Sequence, residues 1–292
     1  MSEIYEKWRE LNIEPSEIEY KNIKIERIIS YPPAGNDVVE CIARVNEKNE
    51  NVFIKIERSK VCDFESEVKH LNYLRDNNYY TKLPIVYENG SFKGKKYIVL
   101  SKIEGERLSN ILSKSKKNKK ELLYKYGKEL AIIHKIPCQT LNVAKQRIIN
   151  ELPNANIYTS LDSEKEIQKY IDYLKENDFE KKYNTFIHGD FHYGNILWIN
   201  SEINGVIDWE YSGRGFKEQD IAWTITLRCN QKFMDNKEDI DDFLNGYKTI
   251  GNYDNEKLKW CIINAYCHFY LMNKDIKYRE SLLNTLKILF NK

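Results

Sequence analysis

The segment FIHGDFHYGNILWINSEINGVIDWE, residues 186–210, constrains this chain more than any other. It carries His188, Asp190, Asn195 and Asp208 in that order. A loop holding Asp190 and Asn195 runs into an apolar stretch, Ile196 to Ile199. A turn expected at Asn204-Gly205 leads to a second apolar stretch, Val206-Ile207, which ends on Asp208. Paired as a β-hairpin, the two stretches bring Asn195 and Asp208 side by side.

Those residue types suit phosphoryl transfer. Magnesium is a hard cation that takes carboxylate and amide oxygens, with phosphates filling its other positions. Asn195 and Asp208 are the expected metal ligands. Asp190, five residues before Asn195, is the expected catalytic base, accepting the proton of an attacking hydroxyl. An Asp-x-x-x-x-Asn loop followed by a metal-binding Asp is the pattern kinases use. His188 is expected to brace the loop, His192 to lie at the surface, and His134 to end a helix.

The first hundred residues read as mostly β. Val39, Cys41, Ala43 and Val45 alternate onto one face of a strand over 38–46, EKNEN follows as a turn, and Val52, Ile54 and Ile56 share a face of the next strand. Lys55 points the other way. A helix over 63–77 puts Phe64, Val68, Leu71 and Leu74 on one stripe, and Glu67 falls within it. A carboxylate on a core stripe needs a partner. Lys55 is that partner, and the pair is the second half of a kinase site, with Glu65 in reserve for Glu67. The loop SYPPAGNDVVE lies where phosphates are covered, so Gly35 and Asn36 are expected at the nucleotide. A hairpin at Phe92-Lys93-Gly94 leads to an apolar strand over 97–100. Its continuation, with Ser101 and Ile103, is expected to present backbone to the adenine edge.

From Lys119 the pattern turns helical. Leu122, Tyr126, Leu130 and Ile133 form a core stripe, and 161–180 and 236–292 are expected to be helical too. The preceding SKSKKNKK reads as a solvated loop. The expected organisation is a nucleotide-binding lobe over 1–101 and a helical lobe over 102–292 that carries the catalytic loop and the acceptor site. A net charge of +2 argues against a dedicated nucleic-acid binder. No apolar run reaches the ~18–20 residues of a membrane span. Six cysteines without a CxxC pair fit a reduced, cytoplasmic protein. The sequence says nothing of oligomeric state.

HGDFHYGNILW, AGNDVVECIARVN with FIKI, and IDWEYSGRGFKEQDIAW together resemble the aminoglycoside phosphotransferase and choline kinase superfamily, with 2''-aminoglycoside phosphotransferases nearest in feel. The resemblance spans roughly residues 30–225. It implies an α+β, protein-kinase-like bilobal fold, with a small antiparallel β-rich N-lobe and a larger helical C-lobe. It implies ATP or GTP, Mg2+ and a small cationic hydroxylated acceptor, an aminoglycoside or a choline- or ethanolamine-type amino alcohol. Glu210, Trp209 and Tyr211 are the implied acceptor contacts, with Trp223, Trp260 and the acidic stretch from Asp235 to Asp242 as further candidates. Arg228 stands where acids are expected in the 2''-type enzymes. Asp220 is implied to brace the catalytic loop as a helix N-cap. A protein kinase is disfavoured by Asp208-Trp209-Glu210 in place of DFG and by the lack of an APE-like segment. A kinase fold without activity is disfavoured because no catalytic residue is missing.

Overall fold

The computed structural model describes residues 7–58, 63–114, 118–153, 164–226, 234 and 236–290. The chain divides into two compact units. The first runs to Gly105 and also takes in 197–199 and 204–211; the second comprises 106–196, 200–203 and the chain from Ser212 onward.

The first unit is built on a five-stranded antiparallel sheet of order β1-β2-β3-β5-β4. Its strands are β1 (Ile23–Ser30), β2 (Asp37–Val45), β3 (Lys48–Ile56), β4 (Val86–Phe92) and β5 (Lys95–Ser101). The expected alternation holds: Val39 is buried, and Cys41, Ala43, Val45, Val52, Ile54 and Ile56 are buried in one cluster. The first turn is tighter than expected. It is the two residues Asn46-Glu47, both at positive φ, and the rest of EKNEN already belongs to β3. β1 was not anticipated, because IKIERIIS mixes charge into an irregular pattern and bulges twice against β2. The hairpin at Lys93-Gly94 lies where expected. Helix α1 (Phe64–Asp76) starts on the Asp63 side chain, which accepts from the Ser66 amide, and packs on β4 and β5.

The second unit is mostly helical. After β6 (Glu106–Arg107) come α2 (Leu108–Lys114), α3 (Lys119–Ile133), α4 (Glu164–Glu176) and β7 (Thr185–Ile187). The hairpin strands β8 (Ile196–Ile199) and β9 (Glu202–Val206) follow, and parts of both belong to the first unit. β10 (Gly213–Gly215) pairs antiparallel with β7. The chain continues as α5 (Lys217–Ile225), α6 (Lys237–Lys248), α7 (Asn255–Met272) and α8 (Ile276–Phe290), so the stretch after 236 is three helices. The stripe Leu122, Tyr126, Leu130 and Ile133 is buried. α3 and α6 meet at glycines. A Cβ on Gly127 would lie 1.8 Å from the Phe243 carbonyl oxygen, and one on Gly246 would lie 1.9 Å from that of Tyr124. Among the described residues, no helix is long and apolar enough to cross a membrane.

The hairpin at 196–206 exists, but its turn is not at Asn204-Gly205. The chain reverses at Asn200-Ser201, both at positive φ, and Asn204 and Gly205 lie inside β9. An Asn-Gly pair is a strong hairpin signal, yet here the glycine serves packing. A Cβ on Gly205 would come 2.4 Å from Cγ2 of Ile103. The Asn204 amide donates to the Glu104 carbonyl.

Candidate active site

In the first unit Lys55 projects from β3, away from the buried face. Its ammonium lies 2.8 Å from Oε2 and 3.0 Å from Oε1 of Glu67, and 2.9 Å from Oδ1 of Asp208. Glu67 is fully buried on α1, as its stripe position requires, whereas Glu65 is exposed and pairs with Lys96. Burial alone would drive the Lys55 ammonium toward its neutral form, but Asp208, Glu67 and Glu210 outweigh burial and hold its pKa above the ordinary lysine value. Asp208 follows β9 by two residues and has φ +67°, a left-handed conformation uncommon outside glycine. Such backbone strain persists where surrounding contacts over-determine it.

Carboxylate oxygens of Glu67, Asp208 and Glu210 lie within 4.8 Å of one another. Glu210, expected at the acceptor, therefore lies with Glu67 and Asp208. Its Oε2 accepts from Asn36 Nδ2 at 3.3 Å. The 35–37 loop is held from the N-terminal segment: Arg9 donates to the Gly35 and Asn36 carbonyls and pairs with buried Asp37, which Arg58 also grips. Ser101 closes its strand unusually. Its N–H donates to the Ile85 carbonyl, while the Ile85 N–H donates to the Ser101 hydroxyl. Ile103 is half-buried against Gly205.

Trp209 corrects an expectation. It is fully buried, with its indole N–H donated to the Val206 carbonyl and its ring edge-on to Tyr80. A ring with no exposed face has nothing to offer an acceptor. Tyr211 is half-buried. Trp260 is also core, donating to the Leu174 carbonyl.

In the second unit the loop after β7 is fastened through its backbone. Buried Asp220 accepts from the His188 amide at 2.9 Å and from the Gly189 amide at 3.0 Å. His134 Nε2 lies 3.1 Å from the same carboxylate, and its Nδ1 lies 2.7 Å from the Tyr247 hydroxyl. Asp220 thus braces the loop, but not as an N-cap. The cap is Phe216, and Asp220 sits inside the first turn of α5 with its side chain turned to the loop. His188 accepts from the Asp190 amide, a bracing contact rather than an acid–base one. His192 is half-buried, and its Nδ1 accepts from the Gly194 amide. Asn195, immediately before β8, donates to the Asp190 carbonyl at 3.0 Å.

Two groups stand on Asp190 that were not expected there, and Trp223, a candidate acceptor aromatic, is one of them. Trp223 Nε1 donates to Asp190 Oδ1 at 2.7 Å, and Arg147 lies 3.0 Å from the same oxygen. Trp223 is identifiable from sequence only as an aromatic in the DIAW stretch. Arg147 lies in a stretch without any motif. Of the acidic candidates, Asp239 and Asp242 are buried and pair with Lys119 and Lys120, while Asp235 and Arg228 lie outside the described residues.

The sequence profile of the phosphotransferase enzyme family, APH, matches residues 42–258. A probable aminoglycoside 3'-phosphotransferase of Lactococcus lactis subsp. lactis (strain IL1403) is 26% identical over 195 residues, covering 62% of this chain and 71% of its own. The ternary complex of APH(2")-IIa with streptomycin and ATP has a similar fold, with a TM-score of 0.58 at 18% identity, covering 92% of this chain and 93% of its own. A choline/ethanolamine kinase family protein from Mesorhizobium loti does too, with a TM-score of 0.54 at 12% identity over 86% of this chain and 88% of its own. The α+β, kinase-like fold expected from the sequence is the fold observed. The chain belongs to the APH phosphotransferase family, whose members transfer phosphate to an alcohol group of a small molecule.

Proposed function

We propose that the protein transfers the γ-phosphate of ATP or GTP to a hydroxyl of a small cationic acceptor, an aminoglycoside before other candidates. The observation that carries this reading is Lys55, bridging Glu67 and Asp208 from positions 12 and 153 residues away. An ammonium held between two carboxylates is fixed for nucleotide phosphates. Gly35, Asn36 and the backbone at Ser101 and Ile103 complete the nucleotide contacts in this reading. Asp208 and Glu210 offer the hard oxygen donors that Mg2+ prefers, and the sequence pattern makes Asn195 a further ligand in this reading. Bound there, the ion would neutralise charge on the phosphates.

Asp190 takes the proton of the acceptor hydroxyl, whose oxygen forms the new bond to phosphorus as the nucleoside diphosphate leaves. The aminoglycoside preference is supported by the Lactococcus relative and by the streptomycin-bound neighbour. The second reading, a choline- or ethanolamine-type amino alcohol, is supported by the Mesorhizobium neighbour. It is weakened by the aromatics: quaternary ammonium groups are held on exposed ring faces, and Trp209 and Trp260 are buried while Arg147 covers Trp223. A cytoplasmic location belongs to the same proposal.

The test is release of nucleoside diphosphate with ATP and with GTP over kanamycin, gentamicin, streptomycin, choline and ethanolamine. Turnover of an aminoglycoside is expected. Turnover of choline alone would favour the second reading, and phosphorylation of a peptide library instead would overturn both.

A further inference from the structure

Among the described residues, the close contacts of the Asp190 carboxylate fall on one oxygen. Oδ1 accepts from Trp223 Nε1 at 2.7 Å and faces Arg147 NH2 at 3.0 Å. Among the described residues, Oδ2 meets Asn195 Nδ2 at 3.5 Å and His192 Nε2 at 3.9 Å, beyond good hydrogen-bond geometry. The guanidinium is restrained three ways. Its NH2 meets Asp190, its Nε donates to the Gly189 carbonyl at 3.1 Å, and its Cζ lies over the Trp223 ring, 4.4 Å from the centroid. Trp223 thus offers its face to Arg147 and its N–H edge to the oxygen that Arg147 holds.

The segment carrying Arg147 is itself anchored. A 3-10 turn, Ile148–Asn150, follows it, and the Asn150 amide donates to the Arg147 carbonyl. Two fully buried polar side chains of α7 hold the next carbonyls. Asn264 Nδ2 donates to Ile149 at 2.6 Å and to Glu151 at 3.1 Å, and His268 Nε2 lies 2.8 Å from the Glu151 carbonyl. Burying polar groups is costly unless they are used. Here they fix the backbone on which Arg147 stands.

We infer that Arg147, stacked on Trp223, is a positioning residue that locks the Asp190 carboxylate with Oδ2 presented as the proton-accepting oxygen. The inference rests on the kinase reading for its consequence and on Arg147, Trp223 and Gly189 for its geometry. A lysine keeps the charge but not the planar fork that reaches Gly189 and Asp190 together. A base turned out of line by about 1 Å loses on the order of 10²-fold in rate.

The test has two arms, both on the full chain. In the first, the indole N–H resonance of Trp223, assigned by its absence in Trp223→Phe, is followed by NMR. It is expected to shift in both Asp190→Asn and Arg147→Met; a resonance unmoved by either overturns the clamp. In the second arm, turnover is measured with kanamycin, streptomycin and choline as acceptors and ATP or GTP as donor. Arg147→Met is expected to lower kcat about 10²-fold with the nucleotide KM within about twofold, and Arg147→Lys to recover only part of the loss. Equal kcat for Arg147→Met and the parent, or full recovery with lysine, overturns the positioning role. A parent chain that phosphorylates none of these acceptors counts against the kinase reading alone, and the indole resonance then still decides the clamp.

Discussion

Lys55, Glu67 and Asp208 are held by one another, whereas Asp190 and Asn195 sit in a loop pinned through its backbone. In the first unit, side chains from a strand, a helix and the end of a hairpin meet through charge. In the second unit, Asp220 takes two backbone amides, His188 a third, and Asn195 gives its amide back to the Asp190 carbonyl. An ion-pair cluster can exchange partners when a charged ligand arrives, because each member is satisfied by charge rather than by one geometry. A backbone-pinned loop keeps its shape. Under the proposed function, the difference suits a unit that admits a polyanion and a unit that holds a base at a set angle.

The sharpest way to break that contrast is a pair of substitutions. Asp190→Asn is expected to cut kcat by ~10²–10⁴ while nucleotide binding by calorimetry stays close to that of the parent. Asp208→Ala is expected to remove magnesium-dependent nucleotide binding. If Asp190→Asn turned over normally, or if Asp208→Ala bound nucleotide unchanged, the division of roles would be wrong.

Next in size, Lys55→Met strands Glu67 in the interior and is expected to cost about 3–5 kcal/mol in urea unfolding. Adding Glu67→Leu should return much of it, since replacing both members of a buried pair is often near neutral. A double variant no more stable than Lys55→Met would show that charge is not what holds the first unit together there.

His70, buried on α1, supplies a pH test of the same unit. Burial pushes its pKa down to about 4, against about 6.5 in the unfolded chain. Between those values the unfolded state binds a proton that the folded state refuses. Stability is therefore full above about pH 6.5 and falls as pH drops toward about 4, by roughly 3 kcal/mol. His70→Leu should flatten that part of the pH–stability curve, and an unchanged slope would remove His70 from the account.

The smallest effect is expected from Gly205→Ala. The new methyl group presses on Ile103 and should cost about 1–3 kcal/mol, with weaker nucleotide binding if the Ile103 backbone lies along the base. A tighter binder would exclude Ile103 from that contact.

Much of this was legible along the chain because it is local or periodic. The burial of Glu67 followed from its place on a 3.6-residue stripe, and the exposure of Glu65 from the same period. The loop from His188 to Asn195 was legible as a motif because several of its contacts close within a few residues, although Asp220, Trp223 and Arg147 reach it from distant positions. The errors fell where one residue type serves two purposes. Asn204-Gly205 has turn chemistry but lies in a strand, since a glycine chosen for a close approach to Ile103 is spelled like one chosen for a turn. Trp209 has recognition chemistry but fills the core, because exposure is decided by neighbours such as Tyr80 that are distant in sequence.

By itself the sequence determined the strand faces, the helix stripes, the order of Asp190, Asn195 and Asp208, and the need for a partner at Glu67. These depend on backbone period and on the cost of burying charge, and both act at short range. Only the tertiary structure decided that Glu210 joins Glu67 and Asp208, that Asp220 braces the loop from inside a helix, and that Arg147 and Trp223 hold one oxygen of Asp190. Apart from Asp208 and Glu210, which are near neighbours, those pairings join residues 31 to 143 positions apart, where no local period reaches and packing alone chooses the partner.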